Sequence, residues 1–456
     1  LQVELAEWAL LPQQPLPGEA EALAHGLAGS AATVGFEALS GLARALELAL
    51  GRAQGHQVPE PSLFEQGADE IRRLLHQFAA GFLKEADAVL LDMAEAFKRG
   101  DSKRLTQLLP KARGHVLEPW AAYWELRARL DQASESQVRD FLTRYAHSYQ
   151  EDRLRNDWLL LLGSRRDWTT LAQEHPHYRM RDDREVQCYV SLVDFLRSGP
   201  QSDPALPEEV YRLWLAQREG DDGCALAADR LFDAGKLSAA QVWRKARIAT
   251  DSGRSRSAKQ ALEIVQASSV REWAQVWAQP SKWLGHHASN PRAASSEMAV
   301  LALLRWVSME PEQASRVLRT VWQPVLSAEQ RDWVWGALGR QAAMRLDDDA
   351  MGFFDKVSQP AHLSDDMLSW LVRAALRAER VPQWKKVDEA IRAMSPAHRQ
   401  DPTWVYWLAR AHKALHPPQH PQHQAALKAL ESIAGIRGFY EQLALEQLGR
   451  KVTVPA

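Results

Sequence analysis

Residues 88–100, AVLLDMAEAFKRG, contain the pattern from which we predict the fold. Apolar side chains recur there every three or four positions and share one helical face: Leu90, Met93, Ala94 and Phe97. The run stops at KRGD, residues 98–101, where a glycine follows the last apolar position. Residues 136–148, SQVRDFLTRYAHS, repeat the pattern with Val138, Phe141, Leu142 and Tyr145. The sequence therefore predicts short amphipathic helices that are joined by tight turns.

The same alternation of helix and stop continues along the chain. Further stops lie at residues 163–167 (GSRRD), 233–236 (DAGK) and 251–254 (DSGR). No convincing alternating strand of five or more residues interrupts them. From residue 87 onward we expect about twenty short helices, which is typical of an αα-hairpin superhelical solenoid. The predicted fold class is all-α: a partial helical bundle at the N-terminus, then a ring- or horseshoe-shaped solenoid.

Composition excludes several classes of protein. The chain has 456 residues, 46% of them hydrophobic and 25% charged, with a net charge of −2. These are globular values, and they exclude a wholly disordered or fibrous chain. No apolar run approaches the length of a membrane-spanning helix, so we expect no membrane span. The near-neutral balance argues against nucleic acid as a partner, because phosphate binding needs concentrated positive charge.

Charge and tryptophan divide the chain into two parts. Residues 1–86 hold 5 Lys and Arg against 11 Asp and Glu, a net charge of −6, whereas the rest holds 51 against 47, a net of +4. Trp8 is the only one of the 18 tryptophans before residue 87. This shift predicts two modules. The run over residues 79–101 is helix-like across the join and contains no Pro/Gly/Ser linker.

The tryptophans of the second part allow two interpretations. Trp120 and Trp124 are four positions apart and so share a helix face, as do Trp273 and Trp277. Such rings can fill the wide spaces between stacked helix pairs. Alternatively, some of them can stack on sugar rings that line a groove.

A short motif with chemical meaning lies in residues 24–50. It has the spacing H-x-L-x-G-x-[SA]-x-x-x-G, formed by His25, Leu27, Gly29, Ala31 and Gly35. This pattern resembles that of histidine phosphotransfer domains, in particular those at the N-termini of chemotaxis-type histidine kinases. The resemblance covers about residues 1–86.

The resemblance implies roles for three residues. His25 matches the histidine that accepts a phosphoryl group, and Glu47 matches the glutamate that hydrogen-bonds the other ring nitrogen. Gly29 lies one turn beyond and leaves room for the receiver domain of a response regulator. The family usually has lysine at the position of Ala28, where its charge helps to hold the phosphoryl group. Active phosphotransfer, a helix that kept only the packing pattern, and a truncated bundle all stay open.

The rest of the chain carries a second resemblance, spread over five segments. They are residues 96–110 (AFKRGDSKRLTQLLP), 117–130 (LEPWAAYWELRARL), 154–173 (LRNDWLLLLGSRRDWTTLAQ), 402–415 (PTWVYWLARAHKAL) and 437–449 (RGFYEQLALEQLG). Their order is similar to that in soluble lytic murein transglycosylases, bacterial periplasmic enzymes with a ring-shaped helical domain, a helical linker domain and a lysozyme-like catalytic domain. The resemblance implies a superhelical domain over residues 87–380 and a linker domain over 381–456.

The same family implies a substrate. Its catalysis rests on a glutamate in an E-S-x-F motif, with G-x-x-G-L-M-Q downstream, and this acid protonates the glycosidic oxygen. Neither motif occurs in the sequence, so we expect the catalytic domain to be missing and assign no catalytic residue and no cofactor. The expected function is to guide peptidoglycan glycan strands for a parent enzyme that cleaves MurNAc–GlcNAc bonds with a 1,6-anhydro product. Whether the chain is itself an enzyme stays open.

Cysteine and histidine complete the candidate sites. Cys188 and Cys224 lie where members of that family can carry a cysteine pair, and we predict a disulfide between them. The alternative is two small buried thiols in adjacent helices. Residues 412–423, HKALHPPQHPQH, hold His412, His416, His420 and His423. Because three prolines break the helix there, we interpret the segment as a polar loop and predict no metal site.

The two resemblances place the chain in different compartments. Lytic transglycosylases act in the periplasm, whereas phosphotransfer domains normally work in the cytoplasm beside receivers and ATP. We therefore interpret the chain as a chimera that joins around residues 84–87. We expect the solenoid to determine its location, which makes it periplasmic. The alternative is a cytoplasmic phosphorelay module with a helical scaffold.

Overall fold

The computed structural model describes residues 5, 19–33, 37–53, 61–81, 85–199, 203–217, 219–378 and 381–451. These residues contain helices and no strand, so the predicted all-α fold class is confirmed. The chain divides into two compact units, residues 1–158 and residues 159–456. The domain boundaries expected after residues 86 and 380 stay predictions.

The first unit holds α1 to α8. Their bounds are Ala20–Thr33, Glu37–Ala53, Pro61–Gly81, Glu85–Lys98, Ser102–Leu108, Glu118–Ala128, Glu135–Arg144 and Tyr149–Ser164. The last of these helices extends past residue 158. The predicted helix-like run across the join passes through residues 82–84, which lie outside the described residues.

The second unit continues with α9 to α26. Their bounds are Trp168–Glu174, Arg184–Ser198, Leu206–Ala216, Asp222–Asp233, Ala239–Asp251, Ser255–Val265, Val270–Ala278, Pro280–His287, Ser296–Val307, Pro311–Val317, Ala328–Met344, Ala350–Phe354, Asp365–Arg377, Trp384–Ala393, Pro396–Arg399, Pro402–Leu415, Pro421–Ile433 and Phe439–Gln447. Helices in this unit pack mainly against the next helix or the next but one. That pattern of contacts is the one expected for helical hairpins that stack in sequence. None of the helices in the described ranges is both long and apolar enough to cross a membrane.

Polar caps determine where many of these helices begin. Three of them start with a serine whose side chain accepts from the backbone N–H three residues on, while a glutamine there bonds back. The pairs are Ser134 with Gln137, Ser238 with Gln241, and Ser327 with Gln330. Each such cap stabilises its helix by about 1 kcal/mol, because backbone donors at a helix start have no intrahelical partner.

The predicted helix stops are of two kinds. Gly100, Gly235 and Gly253 have positive φ of 72°, 66° and 74°, and each follows a helix as its sequence predicts. The GSRRD stop differs, because Gly163 lies inside α8 and Arg166 adopts the positive φ, 63°. Gly163 is instead needed for packing: a Cβ there would lie 2.4 Å from the ring of Tyr189.

Small residues bring the first two helices together. The buried positions of α1 are all alanine and recur every three or four residues: Ala20, Ala24, Ala28 and Ala31. The core that they meet on α2 consists of Leu39, Ala43, Leu46 and Leu50. Because alanine allows close approach, α1 and α2 form a tight pair, and α3 adds Phe64, Ala68 and Ile71 to the same core.

Most of the large aromatic residues in the second unit fill its core. Trp214, Trp322 and Trp333 are fully buried among the packed helices. Burial of such rings is among the largest single contributions to the stability of a helical array. For these three tryptophans the structure supports the packing interpretation over sugar stacking.

Candidate functional site

The pairing of α1 and α2 determines the orientation of His25. This residue directly follows Ala24, a core position of α1, and so lies at the solvent-exposed edge of the interface with α2. Its side chain is 77% exposed. An imidazole at that degree of exposure is accessible to a reactant or to a protein partner.

Glu47 of α2 holds one nitrogen of this ring. The Nδ1 atom of His25 lies 2.9 Å from Oε1 of Glu47, whose side chain is 26% exposed. An ionised carboxylate can only accept, so the geometry favours a hydrogen on Nδ1 that is donated to Glu47. In the neutral ring Nε2 then carries the lone pair. The arrangement thus leaves one exposed nucleophilic nitrogen on a ring whose orientation is fixed.

The surface around His25 is made of small residues. A Cβ added at Gly26 or at Gly29 would meet no atom within 4 Å, so both positions border open space. Ser30 donates its hydroxyl to the carbonyl of Gly26, at 2.8 Å, and so lies against its own helix. The predicted motif includes Gly29, whereas Gly26 and Ser30 occupy positions that the motif leaves unspecified. The run of small residues in HGLAGS was the signal that could have identified them.

Ala28 lies on the buried face of α1. It is 2% exposed and belongs to the core shared with α2. Its carbonyl accepts a hydrogen bond of 3.0 Å from the hydroxyl of Ser40. The position at which the phosphotransfer pattern leads us to expect lysine is therefore occupied by a core alanine, which supplies no charge to the surface near His25.

The other predicted site residues lie in the second unit. A disulfide joins Cys188 of α10 to Cys224 of α12, and both residues are fully buried. In the segment 412–423 the rings of His416 and His420 are stacked with their centroids 4.2 Å apart. His412 bonds to Asp388 through Nε2, at 2.7 Å. Within the described parts of the chain, no three His, Cys, Asp or Glu side chains are grouped as a metal ion requires.

Comparison with known proteins gives one family match and several similar solved structures. Residues 2–81 match the family model described as "Hpt domain". No curated protein sequence matches the chain. Among solved structures, an inactive mutant of the lytic transglycosylase Slt from Pseudomonas aeruginosa is similar, with 22% identity, 80% of this chain and 58% of that chain covered, and a TM-score of 0.41.

Two further structures give similar values. The 70 kDa soluble lytic transglycosylase Slt70 from Escherichia coli is 17% identical over 81% of this chain and 58% of that chain, with a TM-score of 0.39. A complex of the 70-kDa soluble lytic transglycosylase with bulgecin A is 16% identical, with coverages of 81% and 59% and a TM-score of 0.38. The chain thus spans less than two thirds of the length of these structures.

Proposed function

We propose that the N-terminal part of the chain is a phosphotransfer module in which His25 accepts the phosphoryl group. The observation that carries this proposal is the bond of 2.9 Å between Nδ1 of His25 and Glu47, on a ring that is 77% exposed. The match of residues 2–81 to the Hpt domain family supports it. The proposed partner is a response-regulator receiver domain, to which the small residues Gly26 and Gly29 leave access.

The proposed step uses the lone pair on Nε2 of His25. This pair attacks the phosphorus of the donor, so that a P–N bond forms while the bond from phosphorus to the leaving group breaks. The leaving group departs with the electron pair of that bond. Glu47 accepts from Nδ1–H throughout, and it stabilises the positive charge that develops on the ring. Glu47 is thus a positioning residue, because it acts through His25.

We expect the full chain, treated with phosphoramidate as the phosphoryl donor, to gain an acid-labile and base-stable phosphate on His25. His25→Ala should abolish this phosphate. Glu47→Ala should slow its formation by about tenfold or more, because it removes a hydrogen bond to a ring that becomes charged. Peptide mapping by mass spectrometry under alkaline conditions measures the site and the rate.

His286→Ala is the matched control, because His286 is another exposed histidine on a helix, α16. It should leave the phosphate on His25 unchanged. Phosphorylation of His25 no faster than that of His286, or an unaltered rate in Glu47→Ala, would contradict the proposal. The first result would mean that α1 has the packing pattern without the chemistry, and the second that Glu47 does not position the ring of His25 for the reaction.

We propose a second function for residues 87–456, the guiding of peptidoglycan glycan strands as the non-catalytic portion of a lytic transglycosylase. The observation that favours it is the Cys188–Cys224 disulfide, which suits an oxidising compartment such as the periplasm. The five segments of sequence that resemble this family, in family order, add support. The proposed location of the chain is therefore the periplasm.

This second function predicts that the full chain sediments with purified sacculi and releases no anhydromuropeptides from them. Microcrystalline cellulose, which is a neutral glycan without N-acetyl or lactyl groups, serves as the control polymer and should not retain the protein. Equal retention on both polymers, or none on sacculi, counts against the proposal. Release of anhydromuropeptides would show an activity that the proposal excludes.

A further inference from the structure

Four aromatic side chains are linked one to the next in the first unit, and the ring of Tyr123 lies beside two of them, with its centroid 6.2 Å from that of Phe97 and 5.9 Å from that of Trp120. Phe97 and Trp124 have ring centroids 6.2 Å apart, Trp124 and Trp120 are 5.9 Å apart, and Trp120 and Tyr149 are 5.7 Å apart. The planes of successive rings differ by only 27°, 35° and 40°. We call these four residues the aromatic row. Its regular step is comparable with the length of one pyranose unit in an extended β-1,4-linked chain.

Three helices contribute to this row, and all four rings are partly exposed to solvent. Phe97 closes α4, Trp120 and Trp124 lie one turn apart on α6, and Tyr149 opens α8. Phe97 and Trp124 pack with one side against a second core of the first unit, which includes the buried residues Met93 and Leu105, while Tyr149 is 55% exposed. Over the described part of the chain, no Lys or Arg is stacked on any of the four rings, whereas Trp277 has Arg305 only 4.3 Å from its centroid. The faces of the row are therefore not occupied by cations.

Fixed polar groups border the Phe97 end of the row. An open depression of about 410 Å³ is lined by Phe97, Tyr123, Arg127, Arg153 and Asp157, among others. Asp157 accepts from the hydroxyl of Tyr123 at 2.8 Å and pairs with Nε of Arg127 at 3.0 Å. Burial raises the pKa of Tyr123 to about 12, so the phenol stays protonated as a donor. Arg127 is 45% exposed and has further N–H donors.

Flat rings beside fixed hydrogen-bonding groups match one class of ligand best. A pyranose presents an apolar C–H face to an aromatic ring, and its rim of hydroxyl and acetamido groups needs donors and acceptors. Single-stranded nucleic acid also stacks on aromatic rows, but it needs unbalanced positive charge along the groove. Here Arg127 and Arg153 face the single carboxylate of Asp157, which leaves one net positive charge in the depression and not the series of cations that a phosphate backbone needs.

We infer that the aromatic row and the adjoining depression bind an extended chain of N-acetylhexosamine units. The sugar faces lie on Trp120, Trp124 and Tyr149, and the Phe97 end places a sugar rim against Arg127. This inference rests on the second proposed function, since it names the surface on which a glycan strand is held. It assigns binding alone and no bond cleavage.

The test is calorimetric titration of the full chain with the hexasaccharide of N-acetylglucosamine. Tyr149→Ala and Trp120→Ala should each weaken binding by about tenfold, the change expected when about 1.4 kcal/mol of contact is lost. Phe439→Ala is the matched control, because Phe439 also opens a helix and is 69% exposed. It should bind as the wild type does. Circular dichroism melting establishes that each variant is folded.

The outcomes separate this inference from the function on which it rests. Hexasaccharide binding that is unchanged in both row variants overturns the inference, and so does a wild type that does not bind the hexasaccharide. If sacculi are still retained in either case, the second proposed function survives without this surface. Oligothymidylate that binds more tightly than the hexasaccharide, with loss in the same two variants, would also overturn the inference, because the row would then serve single-stranded nucleic acid.

Discussion

A chain in which alanine replaces both Cys188 and Cys224 is expected to unfold with a free energy about 4 kcal/mol below that of the oxidised wild type. The two residues are 36 positions apart, and the bond between them closes that loop in the unfolded chain as well. The unfolded state of the wild type is therefore restricted, and removal of the bond restores its entropy. Both positions are fully buried and accept alanine with little loss of packing. Urea unfolding followed by tryptophan fluorescence measures the difference.

Reduced wild type is the control for this prediction. Dithiothreitol should lower the stability of the wild type to that of the double-alanine chain and leave the latter unchanged. If oxidised and reduced wild type unfold at the same urea concentration, the bond is absent in solution. Two free thiols in denatured, unreduced protein would lead to the same conclusion and would remove the main support for a periplasmic location.

Much of the fold follows from local patterns in the sequence. Apolar spacing of three and four predicts the helices, and the glycines at 100, 235 and 253 end helices with positive φ as expected. These signals are local, because a helix start or stop depends on a few neighbouring residues. The pair formed by His25 and Glu47 was also expected, although 22 positions separate the two residues. That expectation came from the family pattern, since periodicity alone does not identify which helices become neighbours.

What the sequence did not predict depends on contacts between distant segments. Gly163 appears in a stop signal, but its role is to admit the ring of Tyr189 from another helix. Trp120 and Trp124 were expected to share a face, whereas Phe97 and Tyr149, which complete the aromatic row, belong to two other helices. Helical periodicity gives the direction of a side chain on its own helix and nothing about the helix opposite. The packing of the helices in the folded chain determines which helix lies opposite.

The two proposed functions make opposite demands on the surroundings of one chain. A phosphoryl relay through His25 needs a phosphorylated partner, which depends on ATP, whereas a disulfide between Cys188 and Cys224 needs an oxidant. The bond and the phosphate can be measured on the same sample of protein from cells. A chain that carries the disulfide without phosphate on His25 has worked in the oxidising compartment. The reverse pattern assigns it to the phosphorelay.

Replacement of Arg247 by methionine is expected to lower the free energy of unfolding by about 3–5 kcal/mol, the cost of breaking a buried ion pair. Arg247 of α13 is 3% exposed. Its guanidinium donates to both carboxylate oxygens of Glu297 on α17, at 2.6 and 3.0 Å, and to Glu329 on α19, at 2.7 Å. The guanidinium of Arg247 thus connects three helices. Its removal leaves the carboxylate of Glu297, which is 18% exposed, without its cationic partner. Urea unfolding measures the loss.

Two further variants identify the cause of this loss. Glu329→Gln should cost about 1 kcal/mol or less, because Glu329 is 44% exposed and water screens its charge. The double variant Arg247→Met with Glu297→Leu should regain most of the stability lost in Arg247→Met, since replacing both buried partners by apolar residues removes the unpaired charge. A double variant no more stable than Arg247→Met would mean that the arginine acts mainly through packing on Trp333, whose ring centroid is 5.8 Å away. In that case Arg247→Met itself should cost little, because methionine retains most of the apolar contact.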